Sequence, residues 1–178
     1  MMRILGIDPG SRITGFGVVQ ILRNGKIQYV ASGCVRIPKG DLAAKLKSVY
    51  DGVSEVIQTY QPTALAIEKV FLARNPDSAL KLGQARGAAI LAGANQMIDI
   101  AEYTALQIKR ATVGKGHADK TQVQHMVKAL LELSGTPQAD AADALACAIC
   151  HAHHAVGIQS FERARTRRRS GRGLRLSA

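Results

Sequence analysis

The chain has 178 residues and a formal net charge of +11, from 24 Lys and Arg against 13 Asp and Glu. This length suits one domain, and with only 4% aromatic residues its core must rest on Ile, Leu, Val and Ala. No stretch approaches the roughly 18 consecutive apolar residues of a membrane span. Asp8 interrupts any signal-peptide core, and three Cys do not suit a disulfide framework. We therefore expect a cytoplasmic protein that does not engage membranes.

The positive charge is spread along the chain. Residues 161–178 hold seven Arg and one acid, and the residues before them are also basic on balance. A basic body with a basic tail favours a polyanionic partner, most simply nucleic acid, over a generically soluble basic protein. Residues 159–178 lack apolar periodicity and predict a flexible Arg-rich tail, which leaves a single domain at residues 1–158.

The first 40 residues have the pattern of three strands. Short apolar and β-branched runs occupy residues 3–7, 13–22 and 26–37. Asn24-Gly25 lies between the second and third runs and is the strongest short-range hairpin signal. Because the connections are short, these strands are expected to form an antiparallel meander.

Helical spacing then alternates with two further short strands. Helices are predicted at residues 41–60, from Asn75-Pro76 to about 96, after Thr104, after Asp119 and at about 138–154. Strands are predicted at residues 64–68 and 97–103. The order predicts an α/β fold with a five-stranded mixed sheet, in which a meander is joined by parallel strands and flanked by helices.

Two of the predicted strands end in an acid. Asp8 closes the apolar run of residues 4–7, and Glu68 closes that of residues 64–67. A buried carboxylate without a partner is costly, so an acid at such a place is either solvated or kept for chemistry. One strand-end acid is a weak indication of function and gains weight only from further acids.

The last predicted helix carries a second acidic pair. Asp140 and Asp143 stand at positions i and i+3, which places their Cβ atoms about 5–6 Å apart on one helix face. The surrounding alanines allow another element to approach, and no Lys or Arg lies within residues 129–160. A solvated first turn, favoured by the helix dipole, would explain one Asp better than two.

Four carboxylates together predict a site for hard cations. Oxygen ligands without nearby Cys or His select Mg²⁺ or Mn²⁺ over Zn²⁺. Two Mg²⁺ ions about 3.5–4 Å apart, for which Mn²⁺ could substitute, would activate a water and stabilise the leaving 3′ oxygen of a phosphodiester. We therefore expect Asp8, Glu68, Asp140 and Asp143 to hold metal and to be catalytic.

Four segments resemble one known family. They read GIDPGSR at residues 6–12, IEKVF at 67–71, NPDSALKLGQARG at 75–87 and QADAADA at 138–144. In order and spacing they are similar to the bacterial RuvC crossover-junction endonucleases. The resemblance covers residues from about 2 to about 154 and does not cover the tail.

The resemblance implies a ribonuclease H-like fold and a homodimer that resolves four-way (Holliday) junctions by paired symmetric nicks in DNA recombination and repair. By motif, the four acids correspond to the family's metal-binding carboxylates. Phe71 resembles the aromatic residue that stacks on an unpaired base, a contact of about 1–3 kcal/mol. Lys109 and Lys120 resemble the basic residues that hold the scissile phosphate region, and Arg74 is assigned to DNA binding with them. The family also works with the RuvA and RuvB branch-migration proteins.

Other functions fit parts of the sequence. Cys147, Cys150 and His151 match a haem-attachment pattern or, with nearby His, a zinc site, but thiols on an Ala-rich helix are expected to be small core residues. Residues 7–11 also resemble the first phosphate motif of the actin and sugar-kinase group, which needs two such domains. A non-catalytic junction-binding protein would leave the acidic pair of the last helix unexplained.

Overall fold

The computed structural model describes the backbone of residues 2–70 and 76–171 and the side chains of residues 2–70 and 76–157. Its strands are β1 (Met2–Asp8), β2 (Ile13–Ile21), β3 (Ile27–Arg36), β4 (Ala64–Glu68) and β5 (Asp99–Tyr103). Its helices are α1 (Leu42–Tyr60), α2 (Pro76–Asn95), α3 (Ala105–Val113), α4 (Lys120–Leu130) and α5 (Ala139–Gly171). This is the order of elements that the sequence predicts.

The strands form one mixed sheet in the order β3-β2-β1-β4-β5. The first three strands are antiparallel, and β4 pairs in parallel with both β1 and β5. The predicted hairpin is confirmed: Gly25 has a φ of 83°, and Lys26 N donates to Asn24 Oδ1 at 3.0 Å. The predicted five-stranded mixed sheet is therefore confirmed as well.

Helices cover both faces of the sheet. Along each strand, successive side chains point to opposite faces. In β1, Leu5 and Ile7 pack with α1 and α2, whereas Ile4 packs with α3, α4 and α5. By the same alternation, Asp8 at the end of β1 points to the face that α5 covers.

Local signals set several helix starts. Thr104 and Asp119 cap α3 and α4 in complete capping boxes with Gln107 and Gln122, as their spacing predicts. The predicted cap of α2, Asn75, lies outside the described residues. No helix in the described part of the chain is both long and apolar enough to cross a membrane.

The last helix is longer than the sequence predicts. We expected it to end near His154, with a flexible tail from residue 159, yet α5 continues to Gly171. The expectation that the helix ends near His154 is thus wrong, whereas residues 172–178 lie outside the described part and the flexibility of the tail stays a prediction. The physical reason is that Ala, Arg, Gln and Glu are good helix formers and need no apolar stripe to continue a helix already begun. The division into a nuclease domain and a basic tail at residue 159 stays a prediction.

Candidate active site

The carboxyl ends of β1 and β4 meet at one edge of the sheet. These strands are parallel neighbours, with Ile7 opposite Ile67, so Asp8 and Glu68 follow side by side. Both acids are part-buried, and each is preceded by fully buried apolar residues. The sheet pairing therefore brings the two strand-end acids together, as the sequence predicts.

The acids of α5 reach the same edge because α5 lies against glycines of the sheet. A Cβ at Gly15 would lie 2.1 Å from the carbonyl oxygen of Asp140, and one at Gly6 would lie 2.0 Å from that of Ala144. At Gly17, a Cβ would lie 2.6 Å from Leu145 Cγ. Only glycine allows so close an approach of strand and helix backbones. The first turns of α5, with Asp140 and Asp143, are consequently held over the ends of β1 and β2.

The four acids interact electrostatically. Burial, followed by the negative charges of Asp143, Glu68 and Asp140, raises the pKa of Asp8 from 3.8 to about 7. Burial and then the charge of Asp143 also raise the pKa of Glu68. Like charges in a part-buried site disfavour ionisation of one another, so the group tends to hold a proton or to attract a cation.

Both lysines that the resemblance assigns to DNA binding lie at this acidic edge. Lys120 Nζ is 3.3 Å from Asp143 Oδ2, and Asp143 is the main cause of the raised pKa of Lys120. Lys120 and Lys109 both oppose the rise in the Glu68 pKa that burial and Asp143 produce. The structure therefore brings together six of the eight predicted site residues.

The donor set suits a hard cation, although its side chains are not closed around one. Among the residues that the structure describes, no three acidic, His or Cys side chains stand in a metal-ligating arrangement. Asp143 instead accepts a hydrogen bond from Lys120. A bound cation would nevertheless offset the negative charges of Asp143, Glu68 and Asp140, which add to burial in raising the pKa of Asp8. The residues thus fit a divalent metal by chemistry and proximity.

The remaining two predicted residues, Phe71 and Arg74, lie outside the described residues. They belong to residues 71–75, between Val70, which follows the Glu68 strand, and Pro76, which begins α2. Their assignment to DNA binding stays a prediction from the family resemblance.

Sequence reasoning missed one contact at this site. Arg86 of α2 donates from Nε to the main-chain oxygen of Glu68 at 2.9 Å, and its guanidinium also pairs with Glu102 of β5. Arg86 stands in the family-like segment at residues 75–87, where nothing in the local pattern indicates a role for it. No local pattern joins a residue to a backbone oxygen 18 positions away.

Of the Cys and His residues of α5, the two cysteines belong to the core, His151 is half-buried, and His153 and His154 are exposed. Cys147 and Cys150 are buried, which confirms the prediction that they are small core residues. His151 Nδ1 lies 2.8 Å from the Tyr103 hydroxyl, and burial lowers the pKa of His151. These histidines do not lie at the end of the helix, because α5 continues well beyond His154.

A mixed sheet that gathers four acids and two lysines at one edge, with α5 across it, defines a ribonuclease H-like nuclease. A family model described as Crossover junction endodeoxyribonuclease RuvC matches residues 4–151. A relative with the same description, from Pseudomonas fluorescens strain SBW25, is 61% identical over 176 residues, which cover 99% of this chain and 100% of the relative. The one in Aeromonas salmonicida strain A449 is 63% identical over 153 residues, 86% of this chain and 88% of the relative.

Solved structures agree with this result. The structure of T. thermophilus RuvC in complex with Holliday junction substrate has a TM-score of 0.81 at 34% identity and covers 87% of this chain and 95% of that chain. The yeast mitochondrial Holliday junction resolvase Ydc2 shares the fold, with a TM-score of 0.61 at 10% identity over 85% of this chain and 79% of that one. The chain therefore belongs to the RuvC family of crossover junction endodeoxyribonucleases.

Membership of this family establishes the activity in outline. The chain is a nuclease that resolves Holliday junctions in DNA recombination and repair, and it depends on a divalent metal. This result favours the nuclease over the ATP-using and non-catalytic alternatives that the sequence left open.

Proposed function

We propose that Asp8, Glu68, Asp140 and Asp143 hold two Mg²⁺ ions and that this site makes each of two symmetric nicks in a four-way junction. The observation that carries the proposal is the convergence of four acids in a part-buried place, where burial and then the charges of Asp143, Glu68 and Asp140 raise the pKa of Asp8 to about 7. Carboxylates gathered in this way repel one another and cost stability unless a cation offsets their charge, so their convergence favours a metal site.

The chemistry divides between metal and protein. When bound, two Mg²⁺ ions activate a water and stabilise the leaving oxygen of the phosphodiester, and Mn²⁺ is expected to substitute. The four carboxylates would bind the metal ions. The positions of Asp140 and Asp143 are fixed, because α5 lies directly on the sheet at Gly6 and Gly15. Lys109 and Lys120 supply positive charge beside the acids, where a phosphate would lie.

The segment after Glu68 is proposed to recognise the junction. Phe71 stands three residues after Glu68 and Arg74 three residues further on. An aromatic residue there could stack on an unpaired base beside the scissile bond, and an Arg could contact the neighbouring backbone. The support for both roles is the family resemblance of residues 67–71 and 75–87.

We propose that two copies associate through α2. Two leucines of this helix are exposed, Leu80 by 63% and Leu91 by 53%, and they align with Gly83 and Gly87 on one helix face. A Cβ at either glycine would meet nothing within 4 Å. Such a face of leucines and glycines lets a second helix approach closely, and a two-fold dimer would use it on both subunits.

The dimer proposal predicts which exposed leucine matters. Leu91→Glu should give a monomer in sedimentation, because it would place two charges at a two-fold contact. Leu130→Glu is the matched control, since Leu130 is an exposed leucine of α4 on the other face of the sheet. A Leu91→Glu protein that stays dimeric would exclude α2 as the interface.

The family resemblance also supports action in the cytoplasm with the branch-migration proteins RuvA and RuvB. The net charge of +11 on this chain suits a complex assembled on DNA. Co-sedimentation with RuvA and RuvB on a junction tests these partners.

The decisive test of the proposed site is nicking of a synthetic four-way junction. The native protein should cut the junction in Mg²⁺, while a linear duplex of the same sequence should stay intact. Asp8→Asn, Glu68→Gln and Asp140→Asn should each abolish cutting and spare junction binding, because affinity comes mainly from basic residues. Near-normal cutting by Asp8→Asn would show that the proposed site is wrong.

A further inference from the structure

The main chain at Glu68 is held from two sides. On the β5 side, the N–H of Lys69 donates to the Tyr103 oxygen at 2.7 Å. On the α2 side, the Glu68 carbonyl accepts from Arg86 Nε at 2.9 Å. The two bonds hold opposite sides of one peptide group, the one between Glu68 and Lys69, and the pairing of β4 with β5 holds the strand before it. Together they limit the direction of the Glu68 Cα–Cβ bond, and so the region that its carboxylate can reach.

Arg86 is itself oriented by an acid. Its guanidinium pairs with the Glu102 carboxylate of β5, and the Arg86 side chain is only 19% exposed. The planar guanidinium can donate to a carbonyl and to a carboxylate at once, which the single ammonium of Lys does less well. The position on α2 is stable, because the adjacent Ala85 and nearby Ala89 are buried against the sheet.

We propose that Arg86, oriented by Glu102, is a positioning residue that aims Glu68 into the metal site. This inference rests on the proposed function, because it requires Glu68 to be a metal ligand. Through this hydrogen bond Arg86 also joins the end of β4 to α2, the two elements that the segment with Phe71 connects. The helix proposed to form the dimer is therefore bonded directly to a strand that supplies a catalytic acid.

The first experiment measures cutting and binding in Arg86 variants of the full chain. Arg86→Gln should lower the single-turnover rate on a four-way junction by about 10- to 100-fold, since small displacements of a reacting group have effects of that size. Arg86→Lys should recover part of the rate. Junction affinity without metal should stay within about twofold, because this Arg faces protein oxygens rather than DNA.

A matched control separates positioning from general loss of charge. Lys47→Gln removes one cation and one ion pair, Lys47 with Asp51, from the exposed surface of α1. It should leave both the cutting rate and the affinity unchanged. Equal losses of cutting in the two variants would overturn the inference, as would a fall in junction affinity that accounts for the slower cutting of Arg86→Gln.

A second readout needs no metal and no cutting. Amide hydrogen exchange in chelator should become faster at residues 67–70 in Arg86→Gln, because the Glu68 carbonyl loses its anchor, and should be unchanged in Lys47→Gln. Glu102→Gln should show a weaker form of both effects. The double variant should add little to Arg86→Gln, since the two residues act as one unit. Unchanged exchange at residues 67–70, or simple additivity, would overturn the inference.

The outcomes also separate this inference from the proposed function. If Glu68→Gln cuts normally, the assignment of the metal site fails, whatever Arg86 does. If Glu68→Gln is inactive and Arg86→Gln cuts normally, only the positioning role fails. Should Arg86→Gln not fold, Arg86→Lys and Glu102→Gln decide the question by the same rate and exchange measurements.

Discussion

The two faces of the sheet are packed in different ways. On one face, α1 and α2 pack against the sheet through branched side chains, such as Val49 and Val53 of α1 and Ile67 of β4, all of them fully buried. On the other face, α5 contacts the strands with its backbone, because Gly6 and Gly15 have no side chain to keep it away.

The difference shows how the acidic site is kept in place. Side chains between two elements can change rotamer and absorb a small shift, whereas two backbones in contact cannot. The carbonyl of Asp140 is the atom nearest to a Cβ at Gly15, so the turn that carries the acids is located directly by β2. Both faces have a buried hydrophobic core, and the glycine contacts in addition set the geometry of the site.

A methyl group on the glycine face should have the largest effect. Gly15→Ala would place Cβ 2.1 Å from the Asp140 oxygen, so α5 must move away from β2. We expect cutting to fall by at least about 100-fold and the free energy of unfolding to fall by about 1–3 kcal/mol. Single-turnover nicking and urea unfolding measure the two quantities.

The control for this change lies on the other face. Gly93 of α2 has as its nearest neighbour the Leu65 Cδ1 atom, 3.1 Å from where a Cβ would stand. Gly93→Ala should change stability by about 1 kcal/mol or less, because the gain in helix propensity offsets a contact that a flexible side chain can relieve. Similar losses from the two substitutions would show that the faces do not differ as we describe.

The charge on the glycine face should make the metal-free protein lose stability as the pH rises. The pKa of Asp8 is about 7 in the folded state against 3.8 ordinarily, so folding favours the protonated acid. The stabilisation that the protonated Asp8 provides is complete below about pH 4 and is lost as the pH rises through 7. Between pH 5 and 8 we expect ionisation of Asp8 to lower the free energy of unfolding by about 2–3 kcal/mol at most.

The measurement is urea unfolding in chelator at several pH values between 5 and 8. Asp8→Asn cannot ionise, so its advantage over the native protein should grow with pH. In the Asp8→Asn protein, stability should still fall with pH but less steeply, because burial and Asp143 also raise the pKa of Glu68. Parallel curves for the two proteins would mean that Asp8 ionises freely in the folded state.

The segment between the two faces should affect cutting more than folding. Residues 69–75 join Glu68, on the α5 side, to α2 on the other. If Phe71 stacks on a base, Phe71→Ala should slow cutting by about 5- to 150-fold, the equivalent of about 1–3 kcal/mol. Junction affinity and melting temperature should change much less. A clear fall in melting temperature would instead place Phe71 in the protein core.

Removal of the basic tail should have the smallest effect on the site. Among the residues of α5 whose side chains are described, the buried ones lie between Ala141 and Ala152, well before residue 159. Deleting residues 159–178 should weaken binding to junctions and linear duplexes by similar factors and flatten the salt dependence, because Arg–phosphate contacts carry no base information. Single-turnover cutting at saturating enzyme should be nearly unchanged. Loss of junction preference, or of the dimer, would show a more specific role.

The sequence by itself determined the features that depend on neighbours a few residues apart. The Asn24-Gly25 hairpin, the capping boxes of Thr104 and Asp119, and the alternation of strands and helices are all local, and all are confirmed. The acids were visible for the same reason, since each interrupts an apolar run or stands at helical spacing. The helical backbone beyond His154 was missed because helix propensity without an apolar stripe is a weak signal.

Only the tertiary structure decided how these pieces act together. The contact of Gly15 with Asp140 spans 125 positions, and that of Arg86 with the Glu68 oxygen spans 18. The raised pKa of Asp8 likewise depends on burial and on acids from β4 and α5. Close approach, burial and charge repulsion are properties of distances in space, and the chain acquires those distances only when α2 and α5 have packed on opposite faces of one sheet.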